Sequence, residues 1–310
     1  MRLIRGKARV RDTSPIIATI GNFDGMHRGH QAIMQRLKSL AQSHNARCCV
    51  ITFEPMPQEV FSTEDAPTRL HGTRDRILNF ESLGIDQCLL LAFNDEFCAL
   101  SATEFIEDVL LKNLNLHTLI VGDDFRFGNQ RKGDFNTLKE AGVKHGFEVE
   151  DTPTVLHDGE RISSTWVRNA LKERDLEKAQ ALLGRPYQIS GRVIHGEKVG
   201  RQLGFPTANI ALKKQQPPLS GVFAVTAHCD KSKKSWNGVA NLGKRPTVNG
   251  LTLLLEVHML DVAEELYGEH LRIEFVHFIR GEIKFASLDE LKAQIGRDVE
   301  STRDFFNSAH

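Results

Sequence analysis

Neither sign of charge dominates this sequence. Its 40 lysines and arginines are matched by 40 aspartates and glutamates over 310 residues. That balance leaves no global field to draw the protein to nucleic acid or to an anionic membrane, so any phosphate recognition must be local. Cysteine is scarce, and its count of five is odd. Cys48 and Cys49 are adjacent and no Cys-x-x-Cys occurs. This argues against a disulfide framework or a zinc site, and for small core residues in a reducing compartment. No uninterrupted apolar stretch approaches a membrane span. The basic start, Met1 to Asp12, lacks the apolar core of a signal peptide. These absences predict a cytoplasmic protein that meets neither nucleic acid nor membrane. The length suffices for two domains with a core each, and a homo-oligomer is compatible with the sequence.

What is present is organised around Gly21-Asn22-Phe23-Asp24-Gly25-Met26-His27-Arg28-Gly29-His30. An apolar run, Pro15 to Ile20, precedes it and reads as a strand. A helical pattern with Ile33, Leu37, Leu40 and Ala41 on one face follows. A Gly-rich turn from strand to helix offers backbone N–H groups and a positive helix end to an anion. His27 and His30 open that helix on one face, where they can donate to phosphoryl oxygens as charge builds in a transition state. A metal half-site or a solvated first turn would give the same His-x-x-His.

Strand-like and helix-like segments then alternate. Arg47 to Phe53, Gln87 to Phe93, Thr118 to Val121 and Phe147 to Val149 read as strands. Helices are predicted from Thr73 to the stop at Gly84, after the Ser101/Glu104 capping box, and from Asp134 to about His145. The alternation implies a doubly wound parallel sheet, whose ligands sit at the carboxyl ends of the strands. Gly21 to His30, Thr52 to Pro57 and Gly122 to Gly128 all fall there. In the last of these, the carboxylates of Asp123 and Asp124 repel unless a cation or hydrogen bond is near. Phe125 and Phe127 either return to the core or stack on a flat ligand. Ser163, Ser164 and Thr165 open another helix, where one hydroxyl would suffice as a cap. With Arg161 and Arg168 nearby, the surplus suggests a second phosphate clamp facing the histidines.

Three motifs, Gly21–His30, Val121–Gly128 and Ile162–Arg168, stand here in the order found in bacterial FAD synthetases of the HxGH nucleotidyltransferase class, which this half of the chain resembles.

After a polar helix over Glu173 to Leu183, the Gly184-Arg185-Pro186 stop predicts a domain boundary, with domains over 1–185 and 186–310. Tyr187 to His195, Gly221 to His228, Ser235 to Leu242, Leu251 to Leu260 and Leu271 to Arg280 follow as strands without crossover helices. They predict an antiparallel sheet closed into a small barrel. Ser287 and Glu290 cap a final helix with Leu288, Leu291, Ile295 and Val299 on its apolar face. Gly238 to Lys244 has P-loop spacing, but Arg245 stands where a Ser or Thr is required, and Asn241 to Thr247 reads as a barrel loop.

Two features of this half carry chemistry. Gly196, Gly200 and Gly204 let backbone N–H groups approach phosphates, while Thr207 and Asn209 offer hard oxygen ligands suited to Mg²⁺. Glu256 interrupts an apolar strand, with Leu253, Leu255 and Val257 on one face and Glu256 with His258 on the other. If its face is solvent, Glu256 is merely exposed; if it lines a cleft, Glu256 is a general base for a hydroxyl. These features resemble the riboflavin kinase module. Carried over, Thr207 and Asn209 match its magnesium ligands and Glu256 its base. The phosphate loop departs from the family's frequent Gly-x-Gly-Arg-Gly, having Gly196-Glu197-Lys198-Val199-Gly200, which predicts a stiffer loop.

The resemblance implies a bifunctional enzyme. A C-terminal kinase would convert riboflavin and ATP to FMN. An N-terminal adenylyltransferase would join FMN to AMP from a second ATP, giving FAD, with flavin as substrate and product rather than redox cofactor. Its expected phosphate site comprises Gly21, Phe23, Asp24, Gly25, His27, His30, Ser163, Ser164, Thr165 and Arg168, with Asp124, Phe125 and Phe127 on the flavin side. Two other readings remain open. One is a nucleotidyltransferase for another phosphorylated metabolite with a regulatory barrel, and the other is a non-catalytic flavin-binding protein.

Overall fold

The structure is a computed structural model that describes residues 1–6, 14–61, 66–196, 199–212, 217–247, 250–262 and 266–308. Residues 7–12 of the basic start, and Glu197 and Lys198 of the glycine-rich loop, lie outside the described residues. The chain forms two compact units. Met1–Pro67 joins Thr73–Ser163 in the first, and Thr68–Gly72 joins Ser164–His310 in the second.

The first unit is built on six parallel strands: β1 (Arg2–Arg5), β2 (Ile16–Ile20), β3 (Arg47–Glu54), β4 (Gln87–Ala92), β5 (Leu116–Val121) and β6 (Glu148–Asp151), in the order β1-β4-β3-β2-β5-β6. Successive residues of the inner strands feed two separate cores. Ile16, Ala18 and Ile20 pack with Cys49, Ile51 and Leu89 on one face; Ile17 packs with Cys48, Val50, Cys88 and Ile120 on the other. Burial on both faces is why these strands read as continuous apolar runs. The chain leaves β2 to one side for β3 and returns to its other side as β5, so the switch point lies between β2 and β5. Their carboxyl ends carry Gly21–His30 and Gly122–Gly128, the predicted place for a ligand. The expected helices are present at Arg28–Ser43, Thr73–Ser82 and Phe135–His145, the last capped by Asp134. The Ser101/Glu104 capping box forms and opens a helix that widens to π geometry over Phe105–Leu111. A hairpin, β7 (Leu156–His157) with β8 (Glu160–Arg161), precedes the second unit.

The second unit opens with the helices Ser164–Lys172 and Leu176–Leu183, the latter ending at Gly184. A closed antiparallel barrel follows: β9 (Tyr187–Ile194), β10 (Ala208–Ile210), β11 (Gly221–Cys229), β12 (Lys234–Thr247), β13 (Gly250–Met259) and β14 (His270–Arg280), ordered β10-β13-β12-β11-β14-β9. Asn241 to Thr247 is not the loop its sequence suggested. It continues β12, pairing with β13 as far as Thr247 opposite Gly250, because the partner strand is long enough to satisfy its backbone. The final helix, Leu288–Ser308, also departs from expectation at its start, where Leu288 is 64 % exposed. Its buried residues are Asp298 and Thr302. Asp298 accepts two hydrogen bonds from the Arg280 guanidinium of β14, at 2.8 and 2.7 Å. No helix among the described residues is long and apolar enough to cross a membrane.

Candidate active sites

In the first unit the turn after β2 is held from several directions. The Gly21 N–H donates to the Ile51 carbonyl of β3 at 3.1 Å, and Gln31 Nε2 donates to the Met26 carbonyl at 2.9 Å. Phe23, Asp24, Gly25, Met26 and His27 are all buried. Phe23 adopts φ 50°, a conformation rare for a bulky residue. Its ring packs edge-on against His30 at 5.3 Å and against Phe80 at 5.7 Å. His27 is the N-cap of the helix Arg28–Ser43, its Nδ1 accepting from the His30 N–H at 3.3 Å. A neutral His27 ring therefore carries its proton on Nε2. The two imidazoles stack at 3.6 Å. Gly29 makes this stack fit, since a Cβ there would lie 3.1 Å from His27 Cε1 and Nδ1 and 3.6 Å from the Ile162 carbonyl. The expected pairing of His27 with His30 is thus a direct ring contact at the start of a sixteen-residue helix.

The neighbouring loop after β5 divides its residues. Asp123 and Asp124 are exposed, which answers their mutual repulsion with water. Asp151 accepts from the Asp123 N–H at 3.1 Å, and Arg126 donates to the carbonyls of Asp123 and Phe125. Phe127 is 6 % exposed and belongs to the core, against Phe105. Phe125 is half-buried and stacks on Phe127 at 5.6 Å, so of the two rings it is the one with surface to offer. Ser163 is the last residue of the first unit, while Ser164, Thr165 and Arg168 lie on the first helix of the second. There Arg168 Nε donates to the Thr68 carbonyl at 2.6 Å.

The barrel assembles the other predicted residues closely. Leu255 and Val257 are fully buried inside it, leaving half-buried Glu256 and His258 on the outer face. In register, Glu256 stands opposite Asn209 of β10 on one side and Asn241 of β12 on the other. Directly paired residues project to the same face, so Asn209, Glu256 and Asn241 form one polar row across three strands. Asn241 was missed in the sequence because only the pairing of β12 with β13 sets it beside Glu256. His258 Nδ1 lies 2.8 Å from the Pro206 carbonyl and its ring meets Phe205 edge-on, tying the Pro206-Thr207-Ala208-Asn209 segment to the strand of Glu256.

The glycines of this segment have a local reason to be there. A Cβ at Gly196 would lie 2.8 Å from Asn209 Oδ1 and closer still to its amide nitrogen; one at Gly200 would meet the Phe205 carbonyl and lie 3.2 Å from Thr207 Oγ1. Both therefore make room for the two candidate magnesium ligands. Gly204 sits in the turn after the short helix Val199–Gln202. Gly196, Arg201, Thr207, Asn209, Met259 and Tyr267 line an open cleft at this end of the barrel. A hydroxyl and an amide oxygen brought beside one glycine loop are a donor set that fits Mg²⁺ shared with substrate phosphates.

Comparison with known proteins fits both halves. The FAD synthetase family profile matches residues 10–166, and the riboflavin kinase profile matches residues 183–306. The chain is 48 % identical over 308 residues to the bifunctional riboflavin kinase/FMN adenylyltransferase of Escherichia coli (strain K12), covering 99 % of this chain and 98 % of that protein. The chain belongs to the bifunctional riboflavin kinase/FMN adenylyltransferase family. Relatives of the same description from Haemophilus influenzae and Pseudomonas fluorescens are 47 % and 49 % identical, covering 99 % and 98 % of this chain and 100 % and 97 % of theirs. A crystal structure described as a macrolide-efflux protein from Streptococcus pneumoniae is similar throughout, with a TM-score of 0.82 at 29 % identity over 98 % of this chain and 99 % of that one.

Proposed function

We propose that this chain phosphorylates riboflavin to FMN in its barrel and adenylylates FMN to FAD at the HxGH turn. What supports the proposal is that both family profiles match one chain, and that Asn209, Glu256 and Asn241 share one polar row in the barrel while His27 and His30 stack at a helix start in the other unit. Two modules are supported by the family matches over 10–166 and 183–306, and the expected boundary at 185/186 lies three residues inside the second match.

A hydroxyl must lose a proton to attack the γ-phosphorus of ATP. Glu256, flanked by Asn209 and Asn241, takes the proton of the flavin's terminal ribityl hydroxyl as the new P–O bond forms and the bond to ADP breaks. Thr207 and Asn209 would hold Mg²⁺, which neutralises phosphate charge when bound. The phosphate of FMN is already ionised, so adenylyl transfer needs no base. It attacks the α-phosphorus of ATP, pyrophosphate leaves, and the N–H groups of the turn, His27 and His30 stabilise the developing charge. Ser163, Ser164, Thr165 and Arg168 are the candidates for the second phosphate clamp, and Asp124 with Phe125 for the flavin side, Phe127 being taken up by the core. The cytoplasm is the proposed compartment, in keeping with five free thiols.

Two substitutions test the division of labour. Glu256→Gln should cut FMN formation by about 10²- to 10⁴-fold while leaving conversion of added FMN to FAD intact. His30→Ala should slow FAD formation by about 10²- to 10³-fold and spare FMN formation. Loss of both activities in either folded variant would contradict the two-site account.

A further inference from the structure

One fully buried charge in the first unit belongs to none of the sequence motifs. Arg76, on the helix Thr73–Ser82, is 0 % exposed. Its Nη1 donates to the Asn22 carbonyl at 2.9 Å and, more weakly, to Thr52 Oγ1 at 3.4 Å. Its Nη2 donates to the Phe53 carbonyl and to Glu54 Oε2, each at 3.0 Å. Thr73, one turn earlier on the same helix, donates its hydroxyl to the same Glu54 oxygen at 2.6 Å. Burying the guanidinium carries a desolvation penalty that an apolar side chain of similar volume avoids, and its carboxylate partner Glu54 keeps 33 % of its side chain exposed. Stability alone therefore does not account for an arginine here. What the guanidinium joins is informative: Asn22 follows β2, and Phe53 and Glu54 end β3, so it fastens together the ligand ends of adjacent strands.

The consequence for the HxGH turn is specific. In a trans peptide the N–H points opposite to the C=O. Fixing the Asn22 carbonyl on Arg76 fixes the peptide plane, and so turns the Phe23 N–H away from the guanidinium. Phe23 then continues at φ 50°, which needs support from its surroundings. Phe80 gives that support by packing on the Phe23 ring at 5.7 Å, and it lies one turn beyond Arg76 on the same helix face. The Phe23 ring in turn meets His30 at 5.3 Å. One helix thus grips the turn twice, by its backbone through Arg76 and by its aromatic ring through Phe80, and the second grip ends on His30.

We propose that Arg76 is a positioning residue for adenylyl transfer, holding the Asn22–Phe23 peptide and, through Phe23, the orientation of His30. This rests on reading the first site as the adenylyl-transfer site. A fork of donors is essential to the role. Lysine keeps the charge, but its single nitrogen cannot span Asn22 and the end of β3 together.

The test uses the full chain with Arg76→Lys, FMN, ATP and magnesium, measuring kcat and KM for FAD formation alongside thermal unfolding. Riboflavin phosphorylation by the same preparation serves as internal reference. The expected result is a kcat for FAD lowered about 10- to 100-fold, KM for FMN changed less than about threefold, and FMN formation kept. A folded variant that makes FAD within about twofold of wild type would overturn the role. So would a loss of FAD formation that merely tracks the fraction of protein unfolded. Should Arg76→Lys fail to fold, Glu54→Gln decides. It loosens the same guanidinium while keeping a neutral acceptor, and should lower kcat about 3- to 10-fold; an unchanged kcat would overturn the role. Wild-type protein that phosphorylates riboflavin yet makes no FAD from added FMN would remove the reading of the site, and this role with it, before any variant is made.

Discussion

Gly196 shows how a single residue can be found in a sequence for an incomplete reason. Its type suggested a backbone free to approach phosphate, whereas in the structure its missing side chain is filled by the Asn209 amide. Gly196→Ala should therefore push Asn209 aside, lowering kcat/KM of riboflavin phosphorylation by about tenfold or more while FAD formation from FMN continues. Steady-state kinetics with each flavin substrate would check this, and an unchanged kinase would contradict it. His27, His30, Thr207, Asn209 and Glu256 stood out as candidates because each is a polar residue set among glycines, in a turn or between alternating apolar residues. Arg76 was not legible. It sits on a helix as one more charged residue, and its acceptors Asn22, Thr52, Phe53 and Glu54 are all more than twenty positions away. Asn241 escaped for a related reason, since only the pairing of β12 with β13 sets it beside Glu256.

Elements long enough to show their period were legible, and those set by tertiary pairing were not. β2, β3, β4 and β5 are built mainly of apolar residues, and the barrel strands announce themselves by alternation. β1 and β10 have four and three residues, too few for a period, and exist because β4, β9 and β13 offer open edges. The final helix carries its own prediction. Asp298 is 4 % exposed and also accepts from Gln294 at 2.9 Å, so Asp298→Ala leaves the Arg280 guanidinium of β14 without its counter-charge. It should lower the unfolding free energy by about 3 kcal/mol in a urea titration, and a loss below about 1 kcal/mol would show that the helix is held otherwise.

The sheet predicts alkaline sensitivity as well. Burial pushes the Cys48 thiol up to about 11 and the Cys88 thiol up to about 12, and burial with Cys88 nearby raises Cys49 further. In the unfolded chain these thiols ionise near about 8.5. Above that pH the unfolded state binds fewer protons than the native one, so stability is full below it and falls as pH rises toward the native values. The slope approaches about 1.4 kcal/mol per pH unit for each thiol. Urea midpoints between pH 8 and pH 10 should fall less steeply in Cys49→Ala than in wild type, and parallel profiles would count against the effect.

At the scale of the whole molecule, two units carry the two chemistries in the reverse of their order of use. The barrel that would act first follows the sheet that would act second. Both fold classes were legible because each unit repeats its own pattern, strand with helix in one and strand with strand in the other. The boundary was less so. The helices Ser164–Lys172 and Leu176–Leu183 precede the Gly184–Pro186 stop yet group with the barrel, as does the segment Thr68–Gly72, where Tyr187 donates its hydroxyl to the Leu70 carbonyl at 3.1 Å. Such a long-range bond leaves no trace in local composition.

The central claim is that one chain takes riboflavin to FAD in two steps. The most direct measurement is to incubate the purified protein with riboflavin, ATP and magnesium and to resolve the flavins by chromatography over time. FMN should appear first and FAD should follow, with ATP consumed at each step. Riboflavin left unchanged would contradict the kinase, and FMN accumulating with no FAD would contradict the adenylyltransferase.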